Sequence, residues 1–203
     1  MDIESLSSIS DWCREKAKPA LMPVVRWFDL MGLKPNDVTF LGLVCYALCG
    51  IAIAAGNLVT AASIIIVFGP LDVIDGMLAR ETGQVTGFGG FLDSVSDRYA
   101  EFFVFLGLLA YVTMHLKAST AGSIMVLLAW TGSFMVSYVR ARAEAAGFPC
   151  SVGFFTRFER IIMLVGILLT GWVYEGLLVL SVCTHFTAIQ RIIHVQRLSR
   201  RQD

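Results

Sequence analysis

Charge is scarce in this chain, and long stretches lack it altogether. Only 16% of the 203 residues are Asp, Glu, Lys or Arg, against about 25% in a typical soluble domain. No charged residue occurs between Val38 and Leu71, and 56% of the chain is hydrophobic. A domain of this size cannot bury so much apolar side chain and still cover itself with polar groups. This excludes a disordered chain, a coiled coil and an ordinary cytosolic globule. Net charge is lacking too, since 16 basic residues balance 16 acidic ones, and no nucleic-acid partner is expected. The five cysteines (Cys13, Cys45, Cys49, Cys150 and Cys183) are odd in number and scattered. They form neither a disulfide framework nor a zinc spacing and read as reduced small hydrophobes. The start, Met-Asp-Ile-Glu-Ser, has no basic segment leading into an apolar core, so no cleaved signal peptide is expected.

What remains is the composition of an all-α, polytopic membrane protein. The 34 residues from Val38 to Leu71 are too many for one span of about 20. Gly56-Asn57 divides them, and helices are expected over about 38–55 and 58–81, with Pro70 re-aiming the second. Further helices are expected over about 88–116, 120–145, 155–173 and 176–197, which makes six transmembrane helices in 38–203. Residues 1–37 read as an N-terminal amphipathic juxtamembrane segment. In it, Trp12, Leu21, Val24, Val25, Trp27, Phe28 and Met31 alternate with Arg14, Lys16, Lys18 and Arg26, as in a helix lying in the headgroup plane. Pro19 and Pro23 are expected to kink or split it.

Charge placement orients the spans. With the N-terminus inside, Lys117 is the only one of the 16 basic residues on an outward connection, so both termini are expected in the cytoplasm. The run Arg197, Arg200, Arg201 reads as a headgroup anchor. His115 falls on the outer side, His185 reads as an interhelix hydrogen-bonding residue, and His194 as interfacial.

Against this background the acids of helices 2 and 3 are anomalous, because ionisable groups in spans are costly and mark function. Asp72, Asp75, Gly76 and Ala79 share one helical face at spacings i, i+3, i+4 and i+7. Gly89, Asp93 and Asp97 share another at i, i+4 and i+8. The connection from Glu81 to Gly87 is short, so the two helices are expected to be antiparallel neighbours with their carboxylates in one pocket. Four such groups cannot all stay ionised without cations between them. Oxygen ligands suit hard divalent ions, and Mg²⁺ commonly accompanies phosphate. Gly76 and Ala79 leave room for a ligand, and Arg80 puts a cation where a phosphate would sit.

The run from Asp72 through Asp75, Gly76, Ala79, Arg80, Gly89 and Asp93 to Asp97 resembles the CDP-alcohol phosphotransferase signature D-x2-D-G-x2-A-R-x8-G-x3-D-x3-D at every fixed position. The resemblance extends to Lys34-Pro35-Asn36-Asp37-Val38-Thr39, which is similar to the family's segment before helix 1. It implies an enzyme that moves a substituted phosphoryl group from a CDP-linked lipid to an alcohol and releases CMP. It implies two Mg²⁺ or Mn²⁺ ions per site held by Asp72, Asp75, Asp93 and Asp97, with Asp97 as the catalytic base. Lys34, Pro35, Asn36, Asp37, Gly76, Arg80 and Thr86 would bind the CDP-lipid. The site would face the cytoplasm of a prokaryotic plasma membrane, in a homodimer surrounded by membrane lipids.

The acceptor is read from arginines. Arg140, Arg142, Arg157, Arg160 and Arg191 gather in helices 4 to 6, more cation than a neutral polyol needs, and arginine forks match phosphate oxygens. The set resembles the phosphatidylinositol-phosphate and archaetidylinositol-phosphate synthase branch. There a Lys-Ala-Arg-Ala-Glu … Glu-Arg-Pro-Glu-Arg pattern binds inositol 1-phosphate, which is the acceptor expected here. Arg140 replaces the lysine, and Thr156 and Phe158 replace the glutamate and proline. Glycerol 3-phosphate, for a phosphatidylglycerophosphate synthase, is the rival acceptor, followed by serine. Outside this class, an intramembrane prenyltransferase or a carboxylate-lined cation transporter remains an alternative.

Overall fold

The computed structural model describes residues 4–116 and 120–200, with side chains from Lys16 onward except at Ala17. Lys117 and Arg201, which carry part of the charge argument, lie outside the described residues, as do the side chains of Trp12, Cys13 and Arg14. Among the described residues every regular element is helical. The order is α1 (Glu4–Leu30), α2 (Pro35–Ala54), α3 (Leu58–Phe68), α4 (Leu71–Glu81), α5 (Gly87–Met114), α6 (Thr120–Ala145), α7 (Arg157–Thr170) and α8 (Val173–Ser199).

Four stretches are long and apolar enough to cross a bilayer: Pro35–Ala54, Leu58–Glu81 (α3 with α4), Thr120–Ala145 and Val173–Ser199. The 28-residue α5 has the length, but Asp93, Asp97, Arg98 and Glu101 charge its first half. The 14 residues of α7 span roughly 21 Å at 1.5 Å per residue, less than a hydrocarbon core of about 30 Å.

The helices fall into two compact units. One covers Trp12–Lys117, and the other covers Ala118–Asp203 together with Met1–Asp11. In the first, α2 packs on α5, α3 and α4. Val25 and Phe28 of α1 are buried with Val38 of α2 and Leu71, Ile74, Met77 and Leu78 of α4, and Leu21 and Leu33 pack against them. Only part of the apolar surface of α1 is used in this way, for Trp27, Leu30 and Met31 stay exposed. In the second unit α8 packs on α6 and α7, and His185 Nε2 lies 3.2 Å from the Leu128 carbonyl of α6.

Two helix boundaries depart from the sequence-based expectation. The single helix expected over 58–81 is two, divided at Gly69-Pro70. Proline has no N–H to give, and its ring crowds the carbonyl four residues earlier, so the ladder stops and restarts. The restart is anchored on Pro70, whose carbonyl accepts from Val73 N (2.9 Å) and Ile74 N (3.0 Å). Conversely, α1 runs unbroken through Pro19 and Pro23. The two prolines are one turn apart and share a face, so the missing donors are confined to one side of the helix.

Glycine sets how closely α2 and α5 approach. A Cβ on Gly107 would collide with the Gly50 carbonyl oxygen, and one on Gly50 with the Phe103 carbonyl oxygen. Small residues let membrane helices meet backbone to backbone. Here the colliding atoms are main-chain and cannot rotate aside. Gly107→Ala is therefore expected to destabilise the protein by about 1–3 kcal/mol and to lower its melting temperature in detergent. Gly166→Ala, where nothing lies within 4 Å, is expected to leave it unchanged.

Candidate active site

Pro70 restarts the helix so that Asp72 falls in the first turn of α4, where the positive end of the helix dipole favours a carboxylate. Across the turn, Thr86 caps α5 by accepting a hydrogen bond from Gly89 N at 3.0 Å, which sets the phase of the helix carrying Asp93 and Asp97. The result is convergence. Carboxylate oxygens of Asp72, Asp93 and Asp97 lie within 4.8 Å of one another, all three residues half-buried. At that separation each pair of charges repels by roughly 3 kcal/mol at an effective dielectric of about 20. An all-oxygen donor set of this kind fits a hard divalent cation such as Mg²⁺ or Mn²⁺. Arg98 lies alongside, its Nη2 at 3.7 Å from Asp97 Oδ2 and its Nε at 3.9 Å from Glu101 Oε2.

Asp75 stands apart from that trio. It is 5% exposed, and its Oδ2 accepts a hydrogen bond from Thr39 Oγ1 of α2 at 2.5 Å. It remains within electrostatic reach of Asp93 and Asp72. Thr39 belongs to the segment singled out in the sequence, but only packing reveals its partner. The available signal was a polar residue one turn after Pro35 in an otherwise apolar run.

The residues assigned to the nucleotide-lipid gather at this end of the first unit. The Arg80 guanidinium folds back over Gly76, so that a Cβ there would meet Nη1 at 3.3 Å. Asn36 Oδ1 would lie 3.6 Å from a Cβ on Gly89, which brings the start of α2 beside the start of α5. Pro35 opens α2, and Lys34 N donates to Asp37 Oδ2 at 3.0 Å. Asp37 thus secures its own helix end while Lys34 stays exposed.

In the second unit the arginines have separate fates. Arg140, Arg160 and Arg191 lie within electrostatic reach, joining α6, α7 and α8. Arg140 is exposed and its Nε donates to Glu144 Oε1 at 2.8 Å. Arg160 is 1% exposed, with Nη2 3.4 Å from Ser137 Oγ. Arg191 is 3% exposed and does not present a free fork. Its Nε donates to the Val152 carbonyl at 2.8 Å and its Nη1 to the Val136 carbonyl. Arg142 is exposed, roughly 200° around α6 from Arg140. Arg157 is half-buried in the first turn of α7. That turn is closed by Thr156, whose N donates to Glu159 Oε2 at 2.7 Å and whose hydroxyl donates to the same oxygen. Nearby, burial pushes the Cys150 thiol above its ordinary range, partly offset by the guanidiniums of Arg191 and Arg140.

Among the described residues, fold and site together define a helical protein with four stretches long and apolar enough to cross a bilayer and a carboxylate centre suited to divalent metal. The CDP-alcohol phosphatidyltransferase family model matches residues 33–190, and the chain belongs to that family of enzymes. It is 38% identical over 188 residues to an archaetidylinositol phosphate synthase of Methanothermobacter thermautotrophicus, covering 87% of this chain and 93% of that one. It is 33% identical over 184 residues to a phosphatidylinositol phosphate synthase of Mycobacterium tuberculosis, covering 84% and 82%. Crystal structures of the Mycobacterium tuberculosis enzyme superpose on it at 32% identity. The one with CDP-DAG bound has a TM-score of 0.79 and covers 85% of this chain and 92% of that one. The complex with manganese and citrate has a TM-score of 0.80 and covers 86% and 88%.

The burial of Arg191 has a measurable consequence. Arg191→Leu strands the Val152 carbonyl and removes a charged hydrogen bond to the Val136 carbonyl, which keeps its helical donor, together at least about 2 kcal/mol. It is expected to lower the melting temperature in detergent by at least roughly 4 °C, at about 2–4 °C per kcal/mol. Arg142→Leu, at an exposed position, is expected to leave the melting temperature within roughly 2 °C of the parent protein.

Proposed function

We propose that the protein transfers the phosphatidyl or archaetidyl group from a CDP-linked lipid to a hydroxyl of inositol 1-phosphate, yielding the inositol phosphate lipid and CMP. The observation that carries this reading is the meeting of Asp72, Asp93 and Asp97 within 4.8 Å. The related synthases are named for inositol phosphate lipids, and a product of that kind favours this acceptor over glycerol 3-phosphate.

Asp72, Asp75, Asp93 and Asp97 would hold two divalent ions, Mg²⁺ or Mn²⁺. When bound, these neutralise the diphosphate and stabilise the entering and leaving oxygens of an in-line displacement. Asp97 takes the proton from the acceptor hydroxyl. The freed oxygen attacks the lipid-side phosphorus of the donor, the phosphoanhydride bond breaks, and CMP departs with the bridging oxygen. Arg80, folded over Gly76, and Lys34 add positive charge for the diphosphate. Pro35, Asn36, Asp37 and Thr86 shape the same end of the unit, and the lipid tails leave sideways between helices. Arg140, Arg142, Arg157, Arg160 and Arg191 provide the positive field for the acceptor phosphate.

In the membrane, α2, the α3–α4 pair, α5, α6, α7 and α8 make six spans; α5 carries its acids at one end, and the short α7 is accommodated by local thinning of the bilayer. The second apolar face of α1, with Trp27, Leu30 and Met31 exposed, lies in the headgroup plane. Both termini and the active site face the cytoplasm, and the protein works as a homodimer.

Purified protein with Mn²⁺ and CDP-diacylglycerol is expected to release CMP faster with inositol 1-phosphate than with glycerol 3-phosphate, serine or inositol. Pyrophosphate release from a prenyl diphosphate, without CMP release, would overturn the assignment. Asp97→Asn is expected to lower turnover by at least about a hundredfold, the contribution of a positioned base, while CDP-lipid binding persists. Arg157→Ala is expected to raise the KM for inositol 1-phosphate about tenfold or more, as for a lost charged hydrogen bond, with the CDP-lipid KM within twofold. An equal rise for both substrates removes Arg157 from the acceptor site.

A further inference from the structure

Thr39 is the residue of α2 that reaches the acids, and its surroundings constrain what it does. Its hydroxyl lies 2.5 Å from Asp75 Oδ2 and 3.2 Å from the Pro35 carbonyl. A hydroxyl has one proton to give, and the shorter contact to a carboxylate is the stronger claim on it. As a β-branched residue in a helix, threonine has few rotamers, so the direction of that bond is set by the backbone of α2. The seam it crosses is packed and apolar. The adjacent Val38 is buried with Leu71 and Ile74 of α4, and a Cβ on Gly42 would stand 3.7 Å from Leu71 Cβ. Asp75, at the centre of the acidic face of α4, is itself buried. Freed from Thr39, its carboxylate could turn about χ1 and χ2 under the repulsion of Asp72 and Asp93.

We propose that Thr39 is a positioning residue of the metal centre. Its hydroxyl holds one oxygen of Asp75 so that the other serves the divalent ions. Affinity for metal then depends on α2 although α2 supplies no ligand. The inference rests on the reading that these aspartates hold divalent cations, and it deepens that reading. It also links the two halves of the donor site, since Pro35 and Asn36, in the first turn of α2, lie one turn before Thr39.

The test is Mn²⁺ binding to the full-length protein in detergent without substrate, followed by electron paramagnetic resonance of free Mn²⁺. Thr39→Val, which keeps the shape and removes the hydroxyl, is expected to weaken Mn²⁺ binding about tenfold, the effect of losing one hydrogen bond to a charged group. Thr39→Ser is expected to bind within twofold of wild type. In an Asp75→Ala background, which leaves the Thr39 hydroxyl no side-chain acceptor at position 75, Thr39→Val is expected to add nothing further. In turnover assays the Mn²⁺ concentration for half-maximal CMP release should rise by the same factor for Thr39→Val. The CDP-lipid KM at saturating Mn²⁺ should stay within twofold. If Thr39→Val does not yield monodisperse protein, Thr39→Ala carries the same comparison. Wild-type Mn²⁺ binding by the hydroxyl-free variant overturns the proposal. So does failure of Thr39→Ser to restore binding, or a Thr39→Val effect that persists undiminished with Asp75→Ala. A wild-type protein that binds Mn²⁺ but releases no CMP overturns the proposed reaction and leaves the Thr39 comparison intact.

Discussion

Mutual repulsion among Asp72, Asp93 and Asp97 is the constraint on which the site depends. Three carboxylates with oxygens inside 4.8 Å, set in helices otherwise rich in apolar residues, are tolerable only with compensating positive charge. The surrounding fold makes their separation difficult. The α2–α5 contact is closed by facing glycine backbones, and α4 is pinned by the cluster of Val25, Phe28, Val38, Leu71 and Ile74. The backbones that carry the acids are therefore held together by packing, against the repulsion of their charges. This is electrostatic preorganisation in its simplest form, since the packing energy of the bundle is set against the charge energy of the site. Membership of the CDP-alcohol phosphatidyltransferase family follows naturally from such a centre, because a diphosphate donor brings the negative charge that divalent ions are needed to offset.

The two units treat charge in opposite ways. The first concentrates acids from α4 and α5, sets the half-buried Arg98 beside Asp97 and Glu101, and leaves Arg80 and Lys34 exposed. The second buries cations. Arg160 and Arg191 are almost wholly enclosed, and Arg191 does so by donating to the carbonyls of Val136 and Val152. A guanidinium used in this way holds the segment before α7 to α6 and α8, while its positive charge still contributes to the local field. Arg140 is exposed and paired with Glu144, and Arg157 is half-buried in the first turn of α7. The five arginines alike in sequence are thus unlike in their physical work.

Much of this was legible in the chain before folding was considered. The end of α6 at Ala145 falls where it was expected, because the breaker Gly147-Phe148-Pro149 after it is unambiguous. The pairing of acids on α4 and α5 followed from helical spacing and a short connection. At Pro70 a break in the helical ladder just before Asp72 was legible from proline's missing donor, and the helix divides there. At Pro19 and Pro23 the helix does continue, which shows that the same residue type has two outcomes set by context.

The sequence by itself determined which acids share a helical face, because the phase of side chains along a helix is a local property of backbone hydrogen bonding. It also determined that the chain carries helices apolar and long enough to cross a membrane, because length and side-chain polarity are local properties. Tertiary structure alone decided the partners. Thr39 meets Asp75 across 36 positions of chain, and Arg191 meets Val136 across 55. Residues so far apart come together only when helices pack, and the direction of each polar group at such a seam is set by the rotation and depth of two helices at once.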